Sequence, residues 1–181
     1  MLDCLSIIQR YYTPGNDDYR VLVLHSRQVA DQAVALAQRL IDRGVPIDIE
    51  FVEEAAMLHD IGCVRVDAPS IYCYGTEPYI RHGILGAEIL RAEGLPLHAR
   101  VAERHTGTGL TAAEIIHQNL PLPQQDFTPQ SIEEQIVCYA DKFYSKTRLD
   151  VEKTPEQALR SLEKFGSEGL DVFRAWMTRF E

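Results

Sequence analysis

The chain has 181 residues, 45% of them hydrophobic, and a formal net charge of −9 at pH 7. This length and composition allow one full hydrophobic core, so the sequence predicts a single domain over residues 1–181. The acidic balance argues against binding to a nucleic-acid polymer, because such proteins neutralise phosphates with clustered Lys and Arg, but a small anion could still bind in a local basic pocket.

Apolar residues recur at intervals of three and four along most of the chain, a spacing that predicts α-helices. The first long helix is predicted over residues 17–44, where it closes on Gly44. His25 lies on the apolar face that Leu22 and Val29 define, so its side chain is expected to point inward.

A second helix is predicted to begin at Asp48, whose side chain can cap the first turn, and to run out at Gly62. His59 and Asp60 therefore lie side by side at a helix C-terminus. Residues 63–78 contain two prolines and a glycine and have no regular period, so they are predicted to form a loop.

Helical spacing returns at residues 79–94, and Pro96 can open the next helix. Later helix starts are marked by a capping Ser or Thr with Glu or Gln three residues further on, at Thr111, Ser131 and Thr154. Residues 154–181 are predicted to form two amphipathic helices that close the bundle and bury Phe173 and Trp176. Strand-like alternation is nearly absent, so the predicted fold is all-α.

The four cysteines form no C-x-x-C pair and are widely spaced, which is typical of a protein in a reducing cytoplasm. The N-terminus has no basic region followed by an apolar stretch, and no run of about 18 apolar residues occurs in the sequence. We therefore expect a cytoplasmic protein without an export signal or membrane span.

Histidines and carboxylates are predicted to face the interior from several helices. His25, His59 and His82 each lie on or beside apolar helical positions, and Asp141 lies in the apolar segment IVCYADKFY. Burial of an unpaired carboxylate is costly, and a bound cation removes that cost. Imidazole and carboxylate groups together are donors that a first-row divalent metal ion accepts.

Three further reactive residues are expected to have no role in chemistry. His98 lies in the first turn of its helix and His117 near a helix end, so both are expected to be exposed or to cap a helix. Cys63 has no histidine partner apart from the metal-ligand candidates, and we expect it to be a packed or loop residue.

The order of His25, His59-Asp60 within the motif HDIG, and Asp141 resembles the HD superfamily of metal-dependent phosphohydrolases, a helical fold named after its His-Asp pair. The resemblance covers about residues 20–146. It is closest to the uncharacterised HDIG-domain proteins that are predicted to be hydrolases. It implies a helical bundle with a metal site between its helices.

Two more histidines extend the resemblance. His82 in RHGILGAEIL and His105 in ERHTGTGLT are similar to the additional histidines of HD proteins that hold two metal ions. The resemblance implies that a first ion is held by His25, His59, Asp60 and Asp141, and a second by Asp60, His82 and His105. The implied cofactor is one or two divalent ions of Fe, Mn, Co, Ni or Zn, with Mg possible.

Two subfamily patterns are absent. The HD-GYP phosphodiesterases that cleave cyclic dinucleotides carry a lysine at the position of Cys63 and a His-His pair where this chain has RHTGTG. The mononuclear nucleotidases use a glutamate shortly after the His-Asp pair, and residues 61–65 contain none.

The candidate catalytic residues are Asp60, which the resemblance places between two ions, and the cations Lys142 and Arg104, which adjoin predicted ligands.

Three functions remain open. The resemblance favours a metal-dependent phosphohydrolase that uses a metal-activated water on a small nucleotide-like or other phosphate ester. A small branch of HD proteins uses the same ligand order in di-iron oxygenases of polyols or phosphonates, and a non-catalytic metal or nucleotide sensor is the third alternative. Hydrolysis is favoured because five cations lie within six residues of a predicted ligand: Arg27, Arg65, Arg81, Arg104 and Lys142.

Overall fold

The computed structural model describes residues 2–180, apart from the side chain of Phe165, and the predicted all-α class is confirmed. In chain order the α-helices within these residues are α1 (Cys4–Ile8), α2 (Asp17–Asp42), α3 (Ile49–Leu58), α4 (His82–Ala92), α5 (Pro96–Arg104), α6 (Ala112–His117), α7 (Ile132–Asp141), α8 (Pro155–Ser161) and α9 (Ser167–Phe180). None of these helices combines the length and the apolar character that a membrane crossing requires.

Helix boundaries follow the capping signals of the sequence. The side chains of Asp48 and Ser131 accept hydrogen bonds from the backbone N–H three residues later, at the starts of α3 and α7. Thr111 and Thr154 form reciprocal capping boxes at the starts of α6 and α8. The C-terminal end of α2 is followed by Gly44 with a φ of 86°, a left-handed conformation that glycine adopts without strain.

The long helix α2 packs against α3 and α7, and α4 packs against α5. The inward stripe of α2, which includes Val29, Ala33 and Leu36, is fully buried. Burial of a side chain the size of Val or Leu stabilises a fold by about 1.5–3 kcal/mol. Because His25 lies one turn before Val29 on the same stripe, this packing carries it into the interior between α3 and α7.

The C-terminal helix α9 packs its aromatic side chains on α7. The ring of Tyr139 lies 4.9 Å from Phe173, 5.3 Å from Phe180 and 6.5 Å from Trp176, measured between ring centroids. Phe173 and Trp176 are buried, as the sequence predicts. These contacts hold the C-terminal end of the chain against the helix that carries Asp141.

The predicted loop at residues 63–78 is a structured segment, so that prediction was wrong. It contains β1 (Asp67–Ala68) and β2 (Cys73–Tyr74), which pair antiparallel, together with short 3-10 turns. Gly75 lets this hairpin approach the preceding turn, since a Cβ on it would lie 2.1 Å from the Arg65 carbonyl group. Strands of two residues are too short to show an alternating pattern, so the sequence contains no signal for them.

His98 is buried, although the sequence predicts an exposed or capping position. The first turn of α5 packs against α3, so the His98 ring meets the Phe51 ring edge to face at 4.9 Å. Its Nε2 atom lies 3.2 Å from Glu54 Oε2. One helical turn of sequence is too short to show which face of α5 is covered by a neighbouring helix, so the burial of His98 was not predicted. His117 is exposed, as predicted.

Candidate metal centre

Three histidines of the site are held by the same kind of hydrogen bond to the backbone. The Nδ1 atom of each lies close to the backbone carbonyl oxygen three residues earlier, at 2.6 Å for His59, 2.7 Å for His82 and 2.7 Å for His105. A carbonyl oxygen only accepts hydrogen bonds, so Nδ1 carries the hydrogen and donates it. In the neutral ring, Nε2 is therefore a free acceptor that points away from the helix end.

The first cluster joins His25 and His59 to two aspartates. The Nε2 atom of His25 lies 3.0 Å from Asp141 Oδ1 and 3.2 Å from Asp60 Oδ2. The Nε2 atom of His59 lies 3.2 Å from the same Asp60 oxygen and 3.4 Å from the same Asp141 oxygen. Helices α2, α3 and α7 thus bring four of the predicted ligands together in the interior.

The second cluster lies on the other side of Asp60. Its Oδ1 atom is 3.5 Å from His82 Nε2 and 3.3 Å from His105 Nε2, and the two Nε2 atoms are 3.0 Å apart. Each oxygen of the Asp60 carboxylate therefore faces a different cluster. This is the arrangement that a carboxylate shared between two ions requires.

The chemistry of these donors fits metal ions. Burial lowers the pKa of His105 and lowers that of His82 to about 3, so both rings are neutral near pH 7. Their facing Nε2 atoms are then two acceptors in contact, a repulsive arrangement that a cation relieves. The buried Nε2 of His59 makes no hydrogen bond of good geometry, although it faces carboxylate oxygens of Asp60 and Asp141 at 3.2 and 3.4 Å. Two atoms that each lie about 2.1 Å from one ion are about 3.0 Å apart at a right angle and about 3.4 Å apart at the tetrahedral angle. The separations in the two clusters, from 3.0 to 3.5 Å, are close to this range.

The charges of the site are strongly coupled. Burial opposes protonation of His59, but the Asp60 and Asp141 carboxylates outweigh it and raise the His59 pKa to about 9. Burial likewise opposes ionisation of Asp60, yet the Lys146 ammonium and His59 hold its pKa well below the usual range. The Asp141 pKa is depressed in the same way, chiefly by Lys142 against the effect of burial. Both aspartates are therefore ionised.

Two lysines reach the ligand carboxylates. Lys142, which the sequence indicated, donates to Asp141 Oδ2 at 2.6 Å and to the His105 backbone carbonyl at 2.8 Å. Lys146, which the sequence analysis missed, contacts Asp60 Oδ2, and its ammonium lies 5.8 Å from the centre of the Tyr79 ring. Lys146 follows the end of α7, so helical spacing gave no direction for its side chain.

A cavity of about 630 Å³ opens onto His82, His105 and Asp141. One wall is the hairpin segment 67–71, and another is formed by parts of residues 142–164 between α7 and α9. Tyr79 lines the cavity as well and stacks on the His82 ring at 4.6 Å between centroids. The two ligand clusters are thus reached from a space large enough for a small organic molecule.

Most of the cations that the sequence analysis placed near the site point elsewhere. The four arginines pair with glutamates, at 2.9 Å for Arg27, 3.0 Å for Arg65, 2.8 Å for Arg81 and 3.1 Å for Arg104. Among the described residues that line the cavity there is no arginine. Of the two cations proposed as catalytic, Lys142 is at the cavity, whereas Arg104 is held by Glu134. Their catalytic roles stay predictions.

Cys63 is a packed residue, as expected. Its side chain is buried, and its sulfur lies 3.8 Å from Asp60 Oδ1. Burial is the main cause that raises the pKa of the thiol well above its usual value. The thiolate needed for nucleophilic attack is therefore disfavoured.

Gly62 brings two parts of the site into backbone contact. A Cβ atom on Gly62 would lie 2.1 Å from the His82 carbonyl oxygen and 2.3 Å from the Gly86 nitrogen. No side chain fits between the turn that follows Asp60 and the first turns of α4. The glycine of the HDIG motif is thus required by a close approach of two chain segments.

A protein-family model described as HD domain matches residues 22–145. The chain belongs to the HD-domain family. The predicted resemblance is confirmed, and all six candidate ligands lie in the matched range. An uncharacterized protein of Methanocaldococcus jannaschii is 34% identical over 145 residues, which are 79% of this chain and 78% of that protein.

Two further relatives of this HD-domain chain have longer sequences. The tRNA (cytidine(56)-2′-O)-methyltransferases of Thermoplasma volcanium and Picrophilus torridus are each 34% identical to it, over 143 and 146 residues. These matches cover 78% and 76% of this chain but 36% and 38% of the methyltransferases. The chain therefore spans little more than a third of their length.

Two crystal structures share the fold. The HD domain of the L. monocytogenes phosphodiesterase PgpH has a TM-score of 0.57 and 17% identity, covering 97% of this chain and 95% of that one. The same domain in complex with cyclic-di-AMP has a TM-score of 0.55 and 18% identity, covering 96% and 92%. At this level of identity the comparison shows a common HD-domain architecture.

Proposed function

We propose that this HD-domain protein is a metal-dependent phosphohydrolase that acts on a small phosphate ester. The observation that carries the proposal is the position of the Asp60 carboxylate, whose two oxygens face different ligand clusters. The cavity beside these clusters is also lined by Lys142 and Lys146. One or two divalent ions of Fe, Mn, Co, Ni, Zn or Mg, held by these clusters, would supply Lewis acidity and an activated water.

The lysines at the inner end of the cavity are suited to bind a phosphoryl group. Lys142 and Lys146 are almost completely buried, and nearby carboxylates raise the pKa of each above its usual value despite that burial. In the metal-free protein both lysines are therefore protonated at neutral pH. Charge-assisted hydrogen bonds from an ammonium group to phosphate oxygens are strong, and the burial of these two ammonium groups strengthens them further.

The proposed substrate is a small molecule rather than a nucleic-acid polymer or a membrane component. The net charge of −9 disfavours the extended phosphate contacts that a polymer needs, and the cations of the cavity lie inside a space of about 630 Å³. The PgpH domain binds cyclic-di-AMP, so that compound belongs in a substrate panel. The HD-GYP pattern is absent from this chain, so that subfamily gives no additional support for a cyclic dinucleotide as the main substrate.

The test is hydrolysis under strict anaerobiosis with Mn, Co, Ni, Zn, Mg or Fe supplied in turn, followed as phosphate release from monoesters and as chromatographic conversion to a monoester product for cyclic phosphodiesters. The panel contains nucleoside monophosphates, 2′,3′-cyclic nucleotides, sugar phosphates and cyclic-di-AMP. We expect turnover with at least one redox-inert ion, loss of turnover on chelation, and a large loss in His105→Ala. The exposed His117→Ala variant is the matched control and should keep the wild-type rate.

Two outcomes would overturn the proposal. The first is an absence of hydrolysis with every ion, together with oxygen uptake by the iron-loaded protein in the presence of a polyol or phosphonate. That result would assign the same ligands to an oxygenase, because oxygen activation needs redox-active iron whereas hydrolysis does not. The second is tight binding of a nucleotide or metal with no turnover in either assay, which would indicate a sensor.

A further inference from the structure

The three histidines that are fixed through Nδ1 differ in the residue that supplies the carbonyl oxygen. Two of these residues are alanines, Ala56 and Ala102. The third is Tyr79, which accepts the hydrogen bond from His82. Tyr79 begins a short 3-10 turn that leads directly into α4 at His82. Side chains three residues apart in such a turn lie one above the other, so the tyrosine ring is brought onto the histidine ring.

The ring of Tyr79 covers His82 on the side of the cavity. The two rings stack with their centroids 4.6 Å apart and their planes 23° apart. The rings of the ligand histidines themselves form a row with centroids 4.8 to 5.4 Å apart, in the order His25, His59, His105 and His82. Both His82 and Tyr79 line the cavity, but His82 is 4% exposed and Tyr79 is 41% exposed. Tyr79 therefore ends the row of rings and separates His82 from the cavity.

Tyr79 is also connected to the carboxylate that the two clusters share. The Lys146 ammonium lies 5.8 Å from the centre of the Tyr79 ring and contacts Asp60 Oδ2. A cation within about 6 Å of an aromatic ring centroid is attracted by the ring. The other oxygen of Asp60 faces His82 Nε2 at 3.5 Å. Tyr79 thus contacts one ligand of the second cluster directly and the shared carboxylate through Lys146.

We propose that Tyr79 is a positioning residue for the second ion, and that its ring keeps His82 turned with Nε2 towards Asp60. The inference rests on the proposed function in one respect, the binding of metal ions by both clusters. Groups that lie behind a metal ligand orient it, and their loss typically lowers metal affinity by about 10–100-fold. The hydrogen bond from His82 Nδ1 goes to the backbone carbonyl of Tyr79 and persists when the side chain is changed. The stacked ring is therefore the part that a substitution removes.

The experiment titrates manganese into the metal-free full chain by calorimetry, with elemental analysis of the ions retained per chain. The binding step that His105→Ala abolishes identifies the second site. Tyr79→Ala gives His82 the alanine that the other two histidines have at this position, and it should bind the first ion as the wild type does and the second about tenfold or more weakly. Tyr79→Phe keeps the ring and should match the wild type. The matched control is Tyr74→Ala, since Tyr74 is a hairpin tyrosine that is 74% exposed, and this variant should bind both ions normally.

The inference is overturned if the wild type binds one ion only, if Tyr79→Ala keeps its affinity for the second ion within about twofold, or if Tyr79→Phe or Tyr74→Ala weakens that ion equally. Equal weakening of both ions in Tyr79→Ala would also overturn it, because a general disturbance of the fold would explain that result. Selective loss of the second ion without hydrolysis of any compound by the wild type would instead overturn the proposed function and leave the role of Tyr79 standing. Hydrolysis with an unchanged second ion in Tyr79→Ala would do the reverse.

Discussion

The two sides of the cavity hold their polar groups in different ways. On the ligand side, three histidines are fixed through Nδ1 by backbone carbonyls at helix ends, and Asp60 is completely buried between them. On the lysine side, Lys146 and Lys153 lie in the connection between α7 and α8, and Lys164 is exposed to solvent. Chemistry needs atoms held within fractions of an ångström, whereas attraction of an anion tolerates movement, so rigid helix ends suit the first and a connection suits the second.

The largest effect is expected where the ligand side depends on one residue. Asp60→Asn removes the negative charge shared by both clusters, so it should release both ions and lower kcat/KM by about 10³-fold or more. Elemental analysis and steady-state kinetics measure the two effects. Asp67→Asn, a cavity carboxylate outside the clusters, is the control. If Asp60→Asn kept two ions per chain, the shared role of this carboxylate would be wrong.

Substitution of Lys146, the cavity lysine that contacts Asp60, should mainly lower the stability of the metal-free protein. Lys146→Met leaves Asp60 buried without its ammonium partner, a change that costs about 3 kcal/mol for a buried pair. Metal ions would replace the lost positive charge, so manganese should raise the melting temperature of this variant more than that of the wild type. Differential scanning fluorimetry with and without manganese measures the difference. Equal shifts in the two proteins would show that Lys146 does not compensate the Asp60 charge.

The shifted pKa values of His82 and His59 predict how the stability of the metal-free protein depends on pH. His82 has a folded-state pKa of about 3 against an ordinary 6.5, so the unfolded chain binds the extra proton and stability falls as the pH drops below 6.5. His59 has a folded-state pKa of about 9, so its contribution is present below 6.5 and is lost as the pH rises towards 9. Stability should therefore be greatest near pH 6.5, with a limb of at most about 1.4 kcal/mol per pH unit for each group.

Urea unfolding of metal-free protein between pH 4 and 9 measures this profile. His82→Ala should reduce the slope of the acid limb, to which the lowered pKa of His105 also contributes, and leave the alkaline limb in place. An alkaline limb that disappears in His82→Ala would contradict the assignment of the two limbs to different histidines.

The smallest effect is expected from Arg104, which the sequence indicated as catalytic and the structure pairs with Glu134. Arg104→Gln should change kcat/KM by no more than about twofold and cost about 1 kcal/mol of stability, because Arg100 still pairs with Glu134 at 2.8 Å. Lys142→Gln provides the comparison and should lower the rate by at least about tenfold. An equal loss of rate in the two variants would restore Arg104 as a catalytic candidate.

The ligand side could be predicted from the sequence because its residues carry two signals. His25 lies on an apolar helical stripe, and the HDIG motif places a second ligand pair at a helix end, so periodicity and motif order agreed. The arginine predictions failed because proximity along the chain does not set direction. Arg27, two residues after His25, is turned about 200° around α2 from it, and it pairs with Glu53 instead.

The lysine side could not be placed from the sequence in the same way. Residues 142–154 have no helical period, so the path that returns Lys153 to the cavity depends on how α9 packs on α7 and how α8 packs on α9. One signal was nonetheless present, since every lysine of the chain falls within residues 142–164. Composition thus indicated a specialised segment, but only the tertiary structure shows which surface it serves.

The contact at Gly62 has a consequence for the spacing of the two clusters. Backbone atoms of the turn after Asp60 touch the start of α4 directly. The relative position of the two ligand clusters is therefore set by a backbone contact and not by the conformations of side chains. Side chains adjust by rotation, but a backbone contact acts as a hard stop. The backbone contact would then set the separation of the ions, and rotamer changes in the surrounding core would not alter it. A single methyl group added at Gly62 would disturb it.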